Sequence, residues 1–342
     1  MSVALALAVS GCAKKDTTTT TTSSSGSSCV QPSADKVVGM AYDVGGRGDQ
    51  SFNDSAAAGM DKAACEFGFT TKESEAQDGE PESAREERLR TFADAGIDPI
   101  IAVGFAYAPA VAKVAKEYPN LHFALIDSTD ATGPNIANLV FAEQEGSFLV
   151  GVAAALKSQT HHVGFIGGVD TPLLNKFEAG YVAGAKAADP SIKIDVQYLS
   201  QPPDFSGFGD PAKGKTTAQG MYDGGADIVY AAAGGSGAGV FEAAQAAGTK
   251  AIGVDADQYL TADPSVKDVI LTSMVKHVDV AVYDYLKQVN DGTFPTGTRT
   301  YDLKDGGVAY ATSGGFVDDI KSKLDAYKQQ ITDGKITVPT KP

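Results

Sequence analysis

A chain of 342 residues with a formal net charge of −15 is long enough for two α/β lobes. It lacks the clustered Lys and Arg that nucleic acid or an anionic membrane surface demands of a partner, so the acidic balance suits a small neutral or cationic solute better. Small residues dominate, with 38 Gly and no Trp, as close packing of helices on parallel sheets requires; after the first dozen residues no run is long and apolar enough to cross a bilayer.

Residues 1–10, MSVALALAVS, form an uncharged apolar run that meets Gly11-Cys12 and then Ala13-Lys14-Lys15-Asp16. Ala8-Val9-Ser10-Gly11-Cys12 resembles a bacterial lipobox, which implies a signal peptide over 1–11, cleavage before Cys12 and diacylglycerol on its sulfur. No positively charged segment precedes the run, from which either a start of translation further upstream or a trimmed sequence is expected. Residues 17–28, TTTTTTSSSGSS, are a polar low-complexity stretch that cannot bury apolar surface, so 12–34 reads as a lipidated tether. With Cys12 lipidated, Cys29 and Cys65 remain as an even pair in an oxidising compartment. A disulfide there would pin the end of the tether to the first helix; the alternative is one buried and one exposed thiol.

From Lys36 the pattern alternates. Strand-like runs cover 37–43, 99–103, 121–127, 136–142, 162–167, 192–199, 228–231, 250–254 and 269–274. Helix-like runs cover 53–68, 83–96, 108–118, 144–158, 174–188, 212–224, 238–248, 278–290 and 318–332. Ser83 through Glu86 fits a capping box and predicts a helix start there. Repeated βα units with short connections imply parallel sheets covered by helices on both faces. The strand at 162–167 opens a second series like the first, and Gly167-Gly168 echoes Gly45-Gly46. The expected architecture is two doubly wound parallel-sheet lobes with a cleft between them. One takes 35–150 plus about 276–304, the other 151–275 plus about 305–335, with further strands near Tyr301 and Val308.

The first strand ends in Asp43 and empties into a Gly-rich turn holding Asp49, Phe52 and Asn53, at the sheet edge where open α/β folds bind ligands. Asp127 and Asp255 close two other strands. Each Asp taken alone reads as a cap or turn former, but three at equivalent edges suggest a site lined with acceptors for hydroxyl or N–H donors. Phe52, Phe105, Phe177 and Tyr230 offer rings for a planar ligand, although core packing is the ordinary role of each except Phe52. The run Gly234 to Gly239 fails G-x-G-x-x-G because Val240 stands at the third Gly position, so no nucleotide cofactor is expected; Gly235 instead lets a ligand approach the backbone. Lys276 follows a buried strand and is placed to donate to a ligand oxygen beside Asp255. No hydrolase motif and no metal-ligand spacing occurs.

The stretches Asp43-Val44-Gly45-Gly46 and Asp49-Gln50-Ser51-Phe52-Asn53 resemble the opening of the basic membrane protein family, the purine nucleoside receptor A type of substrate-binding lipoprotein. The likeness continues through Gly104-Phe105, Leu125-Ile126-Asp127, Phe177-Glu178-Ala179-Gly180-Tyr181, Gly253-Val254-Asp255 and Thr272 to Lys276, and spans 36 to about 323. It implies a type I periplasmic-binding-protein fold and a monomeric receptor, lipid-anchored on the outer face of the cytoplasmic membrane, that captures nucleosides, purine nucleosides foremost, for an ABC permease and its ATPase. Carried over residue by residue, Phe52 and a second ring, Phe177 or Tyr230, stack on the base. Asp43, Asn53 and Asp127 read its edge, while Asp255 holds the ribose hydroxyls with Lys276 and Gly235 assisting. A receptor for a sugar or other polar solute, a surface lipoprotein without a transport role, and a nucleoside hydrolase are the competing readings; the hydrolase lacks clustered acids for a metal.

Overall fold

The computed structural model describes residues 29–342; the lipobox, Cys12 and the Thr/Ser run of the tether lie outside the described residues. The first half runs β1 (Val37–Tyr42), α1 (Phe52–Phe67), β2 (Thr70–Glu75), α2 (Glu82–Asp94), β3 (Ile100–Ala102), α3 (Ala108–Glu117), β4 (Phe123–Ile126), β5 (Ile136–Phe141). The second runs α4 (Glu143–Lys157), β6 (His162–Val169), α5 (Pro172–Ala188), β7 (Lys193–Ser200), α6 (Pro211–Asp223), β8 (Ile228–Ala232), α7 (Gly237–Ala247), β9 (Lys250–Asp255), α8 (Gln258–Thr261), β10 (Ile270–Lys276). The chain ends with α9 (Val278–Asn290), β11 (Gly297–Tyr301), β12 (Val308–Tyr310) and α10 (Lys321–Thr332).

Two six-stranded sheets result, ordered β11-β5-β4-β3-β1-β2 and β12-β10-β9-β8-β6-β7. Their pairings are parallel except that β12 runs against β10. The central strands are apolar and buried throughout, as strands covered by helices on both faces must be. Each sheet reverses its winding beside its first strand, β1 between β2 and β3, and β6 between β7 and β8. These are the two switch points at which doubly wound sheets open a crevice. The architecture is that of the type I binding-protein fold, two such lobes facing each other.

Three crossings join the lobes: at Ala142, at His277, and between β11 and β12. The first differs from the expected boundary at 150, because α4 packs on α5, β10 and β12 of the second lobe. Most of α4 is buried, from Gly146 to Ala155 without a break, so its sequence carries no polar stripe that would assign it to one sheet. Glycines set its contact with α5. A Cβ at Gly151 would strike the carbonyl oxygen of Tyr181, one at Gly180 that of Gln144, and one at Gly184 that of Phe148. The helices therefore approach backbone to backbone. Helix α9 returns to the first lobe, where Gly59 of α1 admits the Asp279 carbonyl in the same way.

Three further expectations are corrected. Strand β2, Thr-Thr-Lys-Glu-Ser-Glu, is an edge strand paired only to β1 and mostly solvated; it has no apolar run to announce it. Helix α2 begins at Glu82 after Pro81, with no side-chain cap, so the Ser83 capping box goes unused. Gly167 and Gly168 lie within β6 and not in a turn like Gly45 and Gly46, whose φ angles are +100° and +53°. Their lack of a side chain admits the rings of Tyr198 and Phe208. Cys29 and Cys65 are disulfide-bonded, fixing the start of the described chain to α1.

Gly184→Ala is expected to lower the unfolding free energy by about 1–3 kcal/mol, the usual cost of forcing a methyl into a packed contact. Gly220→Ala, on α6 with no atom within 4 Å of the new Cβ, is expected to be neutral or stabilising by up to about 1 kcal/mol through helix propensity. Urea titration of the two variants beside the parent checks both.

Candidate ligand-binding site

The turn between β1 and α1 is knitted by its own carboxylates. Asp49 accepts from the backbone N–H groups of Ser51 (2.9 Å), Asn53 (2.8 Å) and Asp54 (3.1 Å), and Asp54 accepts from Gly48 and Gln50. Asn53 accepts from the Asp43 N–H at 3.1 Å and donates through Nδ2 to Val44 O and Asp49 Oδ2. This bracing leaves Asp43 at the switch point. Its Oδ1 accepts from Val44 N, and its carboxyl lies against Gly104, where a Cβ would stand 3.0 Å from Cγ. Gly104 has a φ of +108°, so this position between β3 and α3 favours glycine on both counts.

The second lobe presents the matching edge. Thr171 caps α5, whose first turns carry Leu173, Leu174 and Phe177. Gly234 and Gly235 follow β8, and Phe208 comes from the loop after β7. Between the two edges lies a cavity walled by Phe52, Phe105, Phe177, Phe208, Leu173 and Leu174, apolar rings and side chains with a few convergent polar groups, as small-molecule sites have. Phe105 of the first lobe meets Phe205 and Phe208 of the second, edge to face, at 5.8 and 6.5 Å between centroids. The clamp is thus closed across the cavity mouth.

At its foot sits Lys276, 3% exposed. Its Nζ is 2.6 Å from Asp127 Oδ2 of the first lobe and 3.5 Å from Asp255 Oδ1 of the second, and it lies 4.4 Å from the centroid of Phe52. Both aspartates leave their strands in the left-handed region, at φ +67° and +63°, a conformation Asp tolerates better than most residues and one that recurs where a site dictates the backbone. Asp255 Oδ2 accepts from Ser51 Oγ at 2.9 Å across the lobes. Two buried oxygens, Asp127 Oδ1 and Asp255 Oδ1, have no hydrogen-bond partner among the described residues. Buried acceptors are normally satisfied; Asp255 Oδ1 has only the Lys276 ammonium near it, at 3.5 Å, and both residues line the same cavity.

Glu143, fully buried at the first crossing, binds Lys176 Nζ at 3.1 Å and keeps Oε1 unpaired. Three carboxylates thus surround two ammonium groups. Burial works to lower the pKa of Lys276, but Asp127, Asp255 and Glu143 outweigh it and hold the group above the usual lysine value. The excess charge falls on Glu143, pushed up to about 7 by burial and by Asp127. Burial also pushes Asp43 up to about 6, against its bond from Val44 and the charge of Arg85, and Asp49 to about 6 against its three backbone donors.

Of the residues singled out in the sequence, Asp43, Asp49, Phe52, Asn53, Phe105, Asp127, Phe177, Gly235, Asp255 and Lys276 line this one cavity. Tyr230 does not. It is fully buried in the second lobe against Phe165 and Tyr181, its hydroxyl 3.4 Å from Ser147, so the ring that joins Phe177 on that side is Phe208. Asn53 and Asp49 reach the wall with their polar atoms committed to the turn, which corrects the expectation that Asn53 reads a ligand edge. Ser51, Phe208 and Arg85 were missed. Arg85, 3.8 Å from Asp43 and nearly buried, stood in a helical pattern as one charge among many, while Phe208 lay in a loop whose Gly-Phe-Gly setting was its one signal.

A family model described as ABC transporter substrate-binding protein PnrA-like matches residues 36–341. The chain is 36% identical over 330 residues to the CD4+ T-cell-stimulating antigen of Listeria monocytogenes, covering 91% of this chain and 90% of that one. It is also 36% identical over 322 residues to the ABC transporter nucleoside-binding protein BmpA of Lactococcus lactis, covering 88% of each. Among solved structures, a solute-binding protein of an ABC transporter system from Aeropyrum pernix superposes with a TM-score of 0.77 at 31% identity, over 89% of this chain and 93% of the other.

A group whose pKa is raised on folding contributes stability that is complete below its unfolded value and lost as pH rises through its folded value. For Asp43 that window runs from 3.8 to about 6. Ligand-free protein is therefore expected to lose stability across this range, and Asp43→Asn to remove up to about 3 kcal/mol of that pH dependence, at about 1.4 kcal/mol per pH unit. Denaturant titrations of both proteins at pH 4, 5, 6 and 7 test the sign.

Proposed function

The chain belongs to the ABC transporter substrate-binding protein PnrA-like family, a family of solute-binding proteins and not of enzymes, and from that premise we propose that it captures nucleosides outside the cytoplasmic membrane. The observation that carries this reading is the pair of buried carboxylate oxygens, Asp127 Oδ1 and Asp255 Oδ1, that accept no hydrogen bond, the second 3.5 Å from Lys276 Nζ, on residues lining an aromatic-walled cavity. Two open acceptors, one from each lobe, suit the two hydroxyls of a ribose, and the aromatic walls suit a flat base. The name of the Lactococcus lactis relative supports the same solute class.

In this reading the base lies between Phe52 and the second lobe's Phe177 or Phe208, with its edge toward Asp43. The ribose hydroxyls donate to Asp127 Oδ1 and Asp255 Oδ1, Lys276 supplies the compensating charge, and Gly235 lets the ligand reach the backbone. Binding needs no bond to break. Contacts made by both lobes at once favour the closed clamp over the open one, and the closed body is what an ABC permease and its ATPase receive. The lipobox-like segment ending at Cys12 and the low-complexity stretch after it support tethering of a monomeric receptor to the outer face of the cytoplasmic membrane. A sugar receptor is the second reading, since the same two acceptors serve any vicinal diol.

Calorimetric titration of the body from Cys29 separates these. Guanosine, inosine or another nucleoside is expected to bind, with Asp255→Asn weakening it by about 10- to 100-fold, the value of a hydrogen bond to a charged group. Ribose and adenosine monophosphate are expected to give no heat, the first for want of a base and the second because its phosphate meets three carboxylates. Tight binding of ribose would favour the sugar reading, and comparable binding of the monophosphate would overturn the assigned orientation.

A further inference from the structure

Behind the cavity the lobes are joined at a second place, by a residue that is not itself part of the cavity wall. Gln258 opens the short helix α8 and is 3% exposed. Its Oε1 accepts from the Val254 N–H at 2.9 Å, and its own N–H donates to Ser273 Oγ at 3.1 Å. Both bonds lie within the second lobe and flank the left-handed turn that carries Asp255. Gly253 makes the fit possible, since a Cβ there would stand 2.6 Å from both Gln258 Oε1 and Ser273 Oγ. The other end of the same amide leaves the lobe: Nε2 donates at 3.0 Å to the carbonyl of Gln50, in the first lobe's turn. Gln50 is itself left-handed, with φ +53°, and the next residue, Ser51, is the one that bonds Asp255 and the Val254 carbonyl.

We propose that Gln258 is a positioning residue of the closed, solute-holding state, an interlobe latch whose amide holds the Asp255 turn with its oxygen and the first lobe with its nitrogen. The inference rests on the clamp-closure reading above. Only an amide supplies both halves at this length. An acceptor is needed toward Val254 N and a donor toward Gln50 O, and the second bond exists only when the lobes have met. In the open clamp Nε2 turns to water while Oε1 keeps its place. The latch therefore acts on escape of the solute and not on its encounter with the open cleft.

Gln258→Glu isolates that half. It keeps an oxygen for Val254 N and sets a second oxygen against the Gln50 carbonyl. Stopped-flow binding of whichever nucleoside binds the parent most tightly is expected to show the dissociation rate raised about tenfold or more, with the association rate within twofold, because one cross-lobe bond is lost and a repulsion replaces it. A merely structural role would lower the melting temperature without this split. An unchanged dissociation rate in a folded variant, or equal effects on both rates, overturns the latch. Gln258→Met, of similar length and without charge, takes its place if the first variant does not fold. If the parent binds no nucleoside, the proposed function fails separately, and the latch is decided without ligand by single-molecule energy transfer between dyes on the two lobes. A reduced closed fraction in Gln258→Glu supports it and an unaltered one overturns it.

Discussion

An ammonium group held between two carboxylates from opposite lobes is the constraint on which the cleft depends. Lys276 is nearly inaccessible, as are Asp127 and Asp255, and a buried charge without a counter-charge is among the costliest features a fold can contain. Lys276 ends β10, immediately before the crossing at His277, and its ammonium is matched by one carboxylate from each lobe. The lysine ties lobe position to electrostatics. Its hydrogen bond to Asp127 uses one carboxylate oxygen, Ser51 occupies one of Asp255, and each aspartate is left with one acceptor. A closed clamp without solute therefore retains two unsatisfied buried oxygens. That residual cost favours reopening, and a ligand that supplies two donors removes it.

The rest of the architecture serves to place those few groups accurately. Strand edges at two switch points face one another, so β1 and β3 deliver Asp43 and Gly104 while β6 and β8 deliver the α5 rings and Gly235. Asp127 and Asp255 occupy corresponding positions at the ends of β4 and β9, and both adopt the same left-handed backbone. Behind them the α4–α5 pair, packed carbonyl on glycine, leaves little freedom where the chain crosses at Ala142. The second lobe thus holds its own parts in fixed geometry behind the cleft.

Much of this was legible in the sequence because it follows from two strong signals. Short fully apolar runs fixed the buried parallel strands, and polar residues placed immediately after those runs marked the cleft, which is why Asp43, Asp127, Asp255 and Lys276 stood out. The losses have physical causes. Strand β2 is solvated and so has no apolar run to reveal it. Helix α4 is buried on nearly every face, which erased the stripe that would have assigned it to the second lobe. Tyr230 follows the pattern of a strand-end aromatic, yet successive side chains on a strand point to opposite faces, and its ring packs into the core. Phe208 lies in a loop and Gln258 opens a helix of 4 residues, segments too short for periodicity to speak, and what singles them out is a contact far away in the chain, Phe105 for one and Gln50 for the other.

Polar groups that look available in a sequence are often already engaged, and this bears on selectivity. Asn53 and Asp49 would double the recognition capacity of the cleft if free, but every atom of the Asn53 amide is bound within its own turn and Asp49 serves the backbone of α1. What remains is acceptors on Asp43, Asp127 and Asp255, with one ammonium already claimed by the last two. In the proposed reading a solute therefore arrives with donors and without negative charge. Hydroxyls and N–H groups satisfy such a site, whereas a phosphate would add a fourth anion around a cation that has none of its charge to spare. The proposed preference for neutral, hydroxyl-bearing, flat solutes thus rests on which polar atoms the fold itself has left unbonded.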